Sequence, residues 1–290
     1  MPTSHETSVI TPRLLADWAL PEPQEGKRSR GTVLVIGGSR ATPGAVLLAG
    51  TAALRAGAGR LQLGVTEGTA AALSIAVPEA KVVGLHETSD GSVDGDVAKE
   101  LLSMAGEADV LVIGPGLDDV DETTKLMGHV LEVVGNDARI VLDAYALGAL
   151  SSSPELLDGC ADRSVLTPNL EEAARLLDRE LGDDLDAEAI AVAQQYGATV
   201  SLFGHVATPD GRSWREESAD AGLGTSGSGD VGAGLVAGLL GRGASPDQAA
   251  CWAAHVHAMA GRRLGGPIGG VGYLARELVN EIPATIATID

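Results

Sequence analysis

Short aliphatic runs, each stopped by glycine or proline and followed by helix-forming residues, most restrict how this chain can fold. Thr32-Val-Leu-Val-Ile36 runs into Gly37-Gly38, and Val110-Leu-Val-Ile113 runs into Gly114-Pro115-Gly116. An apolar run of four or five residues without polar alternation is what a strand buried on both faces shows. Leu61 to Val65, Val82 to Leu85, Ile140 to Asp143, Ser164 to Leu166 and Thr199 to Phe203 read the same way. Helices are expected at Gly44 to Arg55, Asp96 to Ala105, Asp121 to Val134, Leu170 to Arg179 and Ala187 to Gln195. The last third reads as mostly helical, over Asp230 to Leu240, Pro246 to Leu264 and Val271 to Glu281. Strands alternating with helices imply right-handed βαβ units, hence an α/β fold with a mainly parallel central sheet and helices on both faces. Ligands of such sheets sit beyond the carboxyl ends of the strands. Gly37-Gly38, Gly114 to Gly116, Asp143, Thr167-Pro168-Asn169 and Phe203-Gly204 all fall there.

Aromatic residues are only 2% of the chain, so its core has to be built from Ala, Val, Leu and Ile. The formal net charge is −20. Such a surface repels nucleic acid and anionic membrane, and neither is expected as a partner. It leaves nucleotides open, because backbone N–H groups at a helix N-terminus bind phosphate locally. Cys160 and Cys251 have no metal-ligand or CxxC spacing and read as buried free thiols. The first twenty residues lack a signal-type apolar segment, and Val231 to Leu240 is too short to span a bilayer. A cytoplasmic protein is expected. Residues 1–30 are polar, with Pro12, Pro21, Pro23 and Lys27-Arg28-Ser29-Arg30, and read as a lead-in carrying one helical turn between Thr11 and Leu20. Residues 31–290 show no internal repeat or long linker and read as a single domain.

The most informative stretch is Gly224-Thr-Ser-Gly-Ser-Gly-Asp230, a glycine-rich loop that runs into the apolar helix starting at Asp230. Small residues let the backbone approach a ligand, and the free N–H groups of a first helical turn make an anion hole. A carboxylate at Asp230 stands where it can take a proton from a substrate hydroxyl while the amides hold a phosphate. The plainer reading is that Asp230 caps the helix.

This loop resembles the GxGD motif of the ribokinase-like superfamily, and within it the chain is similar to the ADP- or ATP-dependent NAD(P)H-hydrate dehydratase family. The resemblance runs from about Gly31 to Ile282. It rests on Gly31 to Ser39, Ala53-Leu-Arg-Ala-Gly-Ala-Gly59, Val112 to Leu117, Val141-Leu-Asp-Ala144, Leu166-Thr-Pro168 and the glycine-rich loop, in this order. It implies a ribokinase-like three-layer sandwich and a repair reaction. NADH or NADPH hydrated on its reduced ring is phosphorylated on the ring hydroxyl at the expense of ADP (or ATP) with Mg2+, and phosphate is then eliminated. Carried over by position, the resemblance makes Asp230 the catalytic base. Ala45, Gly116, Asn169 and Asp230 would bind the hydrate. Phe203, Gly204, His205, Val206, Ala207, Gly227, Ser228 and Gly229 would bind the nucleotide. No protein metal ligand is assigned, and a homo-oligomer is expected.

The chain departs from the family pattern at four places. Asn169 stands where the family usually has His, Tyr145 where it has a second Asp, and Phe203 where it has Lys. The aromatic residue that usually precedes the first helix is missing from Ala41-Thr-Pro-Gly-Ala45. Two other readings keep the same loop: a kinase for a vitamin-precursor alcohol, and a nucleotide-binding relative with altered catalysis. Gly37-Gly38-Ser39 lacks the GxGxxG spacing of a dinucleotide site. His255 and His257, two apart on a helix, face different sides and read as core or interface residues rather than a metal pair. Asp143 ends a strand at the site face and reads equally as a ligand contact or a structural hydrogen-bonding group.

Overall fold

A computed structural model describes residues 7–22, 26 and 29–289. Of the segment before Gly31, Pro23, Lys27 and Arg28 lie outside the described residues. In the rest, β1 (Ser8–Val9) pairs with the sheet, and the short helix α1 (Pro12–Asp17), within the stretch where a helical turn is expected, buries Leu15. Proline at the first position and the Thr11 hydroxyl, which accepts the Leu14 N–H, start that helix.

The alternating pattern then builds β2 (Thr32–Ile36), α2 (Pro43–Ala56), β3 (Arg60–Thr66), α3 (Glu67–Ala76) and β4 (Ala80–Leu85). It continues through α4 (Lys99–Glu107), β5 (Val110–Ile113), α5 (Val120–Val133), β6 (Arg139–Leu142), α6 (Tyr145–Ser152), β7 (Ser164–Leu166), α7 (Leu170–Leu176), α8 (Leu185–Tyr196) and β8 (Thr199–Leu202). A small antiparallel unit follows, β9 (His205–Ala207) and β10 (Ser213–Arg215), and then α9 (Ser228–Gly241), α10 (Pro246–Ile268) and α11 (Ala275–Ile286).

All ten strands form one sheet in the order β1-β10-β9-β8-β7-β6-β5-β2-β3-β4. The stretch from β8 to β4 is parallel throughout, whereas β9 runs antiparallel to both β8 and β10. Side chains alternate across the strands, as the pleat demands. Val33 and Val35 of β2 join the core under α2, α9, α10 and α11, while Leu34 and Ile36 join the core under α4 to α8. Both faces are therefore covered, which is why the strands read as unbroken apolar runs. The chain order reverses at β2, with β3 on one side and β5 on the other. That switch point opens a crevice at the carboxyl ends of these two strands.

Several boundaries differ from expectation. The strand expected to reach Phe203 stops at Leu202, because Phe203 and Gly204 adopt φ of +49° and +88° and turn the chain directly into β9. The last helix begins at Ala275, not Val271, because Gly269, Gly270 and Gly272 all have positive φ. α3, α6 and the β9–β10 pair were not anticipated. Among the described residues, no helix is long and apolar enough to cross a membrane.

Candidate active site

The loops after β2 and β5 are bound to each other over the crevice. The Gly38 N–H donates to the Pro115 carbonyl at 2.9 Å, the Ser39 N–H to the Gly116 carbonyl at 2.7 Å, and the Thr42 hydroxyl to the same carbonyl at 2.7 Å. The approach requires glycine at position 37, where a Cβ would stand 2.0 Å from the Pro115 oxygen. Ala45, in the first turn of α2, packs against Gly116, whose own added Cβ would meet that of Ala45 at 2.9 Å. The two small residues assigned to the hydrate thus come together on one wall.

Across from them the glycine-rich loop delivers α9. Gly227 is its N-cap with φ +86°, a left-handed conformation that turns the loop into the helix and that a side chain would strain. Ser228, Gly229 and Asp230 are the first three helical residues. The Ser228 N–H bonds to the Thr225 carbonyl, and the Val231 N–H to that of Gly227. Among the described residues the N–H groups of Gly229 and Asp230 have no intramolecular acceptor, so two donors at the positive end of a fourteen-residue helix stay open. The helix-cap reading of Asp230 is not what the structure shows: the cap is Gly227, and the Asp230 carboxylate makes no capping bond. Burial pushes its carboxyl up to about 6.

Asp143 follows β6 beside Gly114. Its Oδ1 accepts a 2.8 Å hydrogen bond from the Thr167 hydroxyl. Burial, opposed by that hydroxyl and reinforced by the nearby Asp230 charge, raises its carboxyl to about 7. Two carboxylates thus stand near each other, and burial pushes the carboxyl of each upward.

On the other side of the α9 terminus lies a cavity of about 410 Å3. Its walls come from Thr167 to Asn169, Ser201, Phe203-Gly204, Glu216, the segment around Asp220, the Ser228–Gly229 turn and one face of α10 that includes His257. Lys and Arg are absent from this lining among the described residues. Anionic groups placed here would be met by backbone amides and the helix dipole. Burial drives the His257 imidazole down to about 4, so it is neutral, and its Nε2 lies 3.1 Å from Ser228 Oγ. His255, on another side of α10, is a core residue whose Nδ1 donates to buried Glu216 at 2.6 Å. Among the described residues, no cluster of three or more His, Cys, Asp or Glu side chains is arranged to hold a metal.

Of the residues assigned from sequence, Asn169, Phe203, Gly204, Ser228 and Gly229 line this cavity, while Gly227 caps the helix beside it. Asn169 is the N-cap of α7, its Oδ1 accepting the Glu172 N–H while Glu172 accepts the Asn169 N–H. His205 is tied through Nδ1 to Asp186 at 2.5 Å, and Val206 and Ala207 are wholly buried in β9. Position therefore separates the hairpin tip, at the cavity, from the strand behind it. Thr167, His257 and Glu216 were not singled out from sequence as ligand contacts. Only the Thr167-Pro168 strand ending pointed toward one of them.

A family model described as NAD(P)H-hydrate dehydratase matches residues 33–284. The chain is 41% identical over 295 aligned residues to a protein of Xanthomonas campestris pv. campestris named ADP-dependent (S)-NAD(P)H-hydrate dehydratase, covering 98% of each. It spans about half the length of several bifunctional NAD(P)H-hydrate repair enzymes that it also matches. Its structure superposes with a TM-score of 0.80 on the ADP/ATP-dependent NAD(P)H-hydrate dehydratase of Bacillus subtilis co-crystallised with ATP/Mg2+. That pair is 26% identical and covers 99% of this chain and 100% of the other. A ribokinase-like protein from Enterococcus faecalis, 21% identical with a TM-score of 0.80 over 100% of this chain and 98% of its own, shares the fold.

Proposed function

The chain belongs to the NAD(P)H-hydrate dehydratase family, and from that premise we propose that it is an ADP-dependent hydro-lyase restoring NADH or NADPH from the hydrated forms. One observation carries the reading: a half-buried carboxylate, Asp230, stands in the first turn of α9 beside the open N–H groups of Gly229 and Asp230. The nucleotide occupies the cavity between α9, α10 and the Phe203–Gly204 tip, with its phosphates at the α9 terminus. The hydrated ring occupies the crevice lined by Ala45 and Gly116, so that Asp230 stands between the two ligands.

Asp230 takes the proton of the ring hydroxyl as its oxygen attacks the terminal phosphorus of ADP. The two amides hold the equatorial oxygens as charge builds there, and AMP departs. The phosphorylated ring then expels phosphate, pushed by the electron pair of its nitrogen. Among the described residues no Lys or Arg lines the cavity and no cluster of metal-ligating side chains is present, so Mg2+ would arrive with the nucleotide rather than be held by a protein cage. Bound there, it would neutralise phosphate charge. The enzyme is expected to work in the cytoplasm as a homo-oligomer, a reading supported by exposed Ile268, Val271 and Leu274 around the α10–α11 loop.

The test is to incubate the protein with freshly prepared NADH hydrate, Mg2+ and either ADP or ATP, following reduced-nicotinamide absorbance. Recovery of NADH with release of AMP from ADP, or of ADP from ATP, establishes the repair reaction and its donor. Binding of nucleotide with no recovery from either donor refutes the dehydratase reading. It would leave a kinase for another alcohol, or a catalytically altered relative in which Asn169, Tyr145 and Phe203 mark the change.

A further inference from the structure

The proposed reaction removes two protons from the substrate, and Asp230 accounts for one. Hydration puts a hydroxyl on the ring carbon beside nitrogen and a hydrogen on the next carbon. After phosphorylation the C–O bond breaks, phosphate leaves with the bonding electrons and collects the proton held by Asp230, and the nitrogen lone pair forms a C=N bond. The ring double bond returns only when a base removes the proton from the neighbouring carbon. The C–H electrons then form C=C and nitrogen regains its lone pair. We infer that Asp143 is this second base, the catalytic carboxylate of the elimination half-reaction. The assignment rests on the dehydratase reading and goes further by dividing its two proton transfers between two residues.

Asp143 is set apart from the other buried acids of the protein. Glu188 is paired with Arg179, and Glu216 with His255. Among the described residues Asp143, 6% exposed, has no basic partner, and its one side-chain donor is the neutral Thr167 hydroxyl. An unpaired carboxylate is costly to bury, so a fold that retains one is not using it as an ion-pair anchor. The backbone is held in an unusual state at the same point. Ala144 has φ +48° and ψ −119°, a conformation that residues with a side chain rarely adopt and that clusters at active sites. The Gly114 turn presses against it so closely that an added Cβ would stand 1.7 Å from the Asp143 carbonyl oxygen. Strained backbone, the glycine approach and the Thr167 hydroxyl together fix the carboxylate at the carboxyl end of β6, beside the switch point.

The groups that face Asp143 reinforce the assignment. Asp230 from α9 and Glu172 from α7 are both acidic, and Thr167 after β7 is neutral. Burial and these charges bring its carboxyl to about 7 against the hydroxyl's opposing pull. A carboxylate of that basicity is suited to accept a proton from activated carbon near neutral pH.

The experiment compares NADH formed with AMP formed, for wild type and Asp143→Asn, using NADH hydrate, ADP and Mg2+. Without the second base, the ring cation left by phosphate departure recaptures water and returns to the hydrate, so AMP accumulates without NADH. Wild type is expected to give about one NADH per AMP, and Asp143→Asn at least about tenfold less, with AMP still released. A ratio that stays near one in the variant, at any rate of turnover, overturns the inference while leaving the dehydratase reading intact. A wild-type protein that forms no NADH removes the reading itself and the second base with it. Thr167→Val keeps the carboxylate and covers the case in which Asp143→Asn fails to fold. Losing the hydroxyl raises the carboxyl further, so the pH at which NADH per AMP is half-maximal must move up. An unmoved profile counts against Asp143.

Discussion

Ser228 Oγ and His257 Nε2 stand 3.1 Å apart, joining the first residue of α9 to the middle of α10 at the wall of the cavity. With its imidazole pushed down to about 4 by burial, His257 works as a neutral hydrogen-bonding group that fixes the Ser228 side chain. His257→Ala is therefore expected to weaken ADP binding by about 3- to 10-fold, the worth of one neutral hydrogen bond. The kcat should change by less than about threefold, because the contact is equal in ground and transition states. Titration calorimetry with ADP between pH 5.5 and 8 checks the charge state. Wild-type affinity that drops as pH rises through the ordinary histidine range would show the imidazole binding phosphate as a cation.

Asp230→Asn removes the proposed base while keeping the shape of the first turn. Turnover should fall by about 10²–10⁴, with ADP affinity nearly unchanged. In wild type kcat/KM should rise as pH climbs through about 6, where the carboxyl loses its proton. The same shift predicts a stability effect of definite sign. The folded carboxyl holds its proton more tightly than an unfolded one, near 3.8. Its stabilising contribution is complete below that value and is lost as pH rises through about 6. Asp230→Asn should therefore be more stable than wild type at pH 8, by on the order of 1–3 kcal/mol, and no more stable at pH 4. Thermal melts at both pH values decide it. A variant less stable than wild type at pH 8 would mean that the carboxylate has a stabilising partner.

Which parts of this arrangement were legible beforehand follows from where the physics was local. β2 and β5 announced themselves because strands buried on both faces leave unbroken apolar runs, and Gly37 and Gly114 mark their ends. The α9 terminus was legible because an anion hole needs small residues in consecutive positions. α6 was missed because it begins at Tyr145, directly after Ala144, whose positive φ has no glycine to signal it. β9 and β10 are three residues each, too short to show a period. Nor can sequence show that His257 of α10 meets Ser228 of α9, or that Asp143, among the described residues, is buried without a basic partner. Both are products of packing between segments far apart in the chain.

Phe203 combines two costs at one position, a left-handed φ of +49° and a ring that is 74% exposed at the cavity mouth. A residue retained under both conditions is explained by contact with a ligand that covers the ring. Phe203→Asn tolerates the turn better, so its stability should equal wild type or exceed it by up to about 1 kcal/mol. If the ring lies against the bound nucleotide, KM for ADP should rise about 10-fold, within the range measured for loss of an aromatic stack on a base. Phe203→Lys, which installs the cation usual in the family, should recover part of that loss through the phosphates, and the more so at low salt. Unchanged KM in both variants would place the nucleotide away from the hairpin tip.

The position of α9, and with it the site, depends on how closely the helix lies against α2. At Gly234 an added Cβ would stand 2.1 Å from the Ala49 carbonyl oxygen, and at Gly238 another would stand 2.4 Å from that of Ala53. The two backbones touch along this seam, and no rotamer change can relieve a clash with backbone. Gly232, on the side of α9 turned to the cavity, has nothing within 4 Å of its added Cβ. The same substitution should therefore act with opposite sign on the two faces. Gly234→Ala has to push the helices apart and is expected to cost about 1–3 kcal/mol, the range for overpacking a close-packed interior. Gly232→Ala gains helix propensity without a clash and should stabilise by about 0.5–1 kcal/mol, while narrowing the cavity and raising KM for ADP. Urea unfolding of the two variants beside wild type measures the difference directly. Equal stability of the pair would mean that the seam gives way without cost, and that contact with α2 does not hold α9 in place.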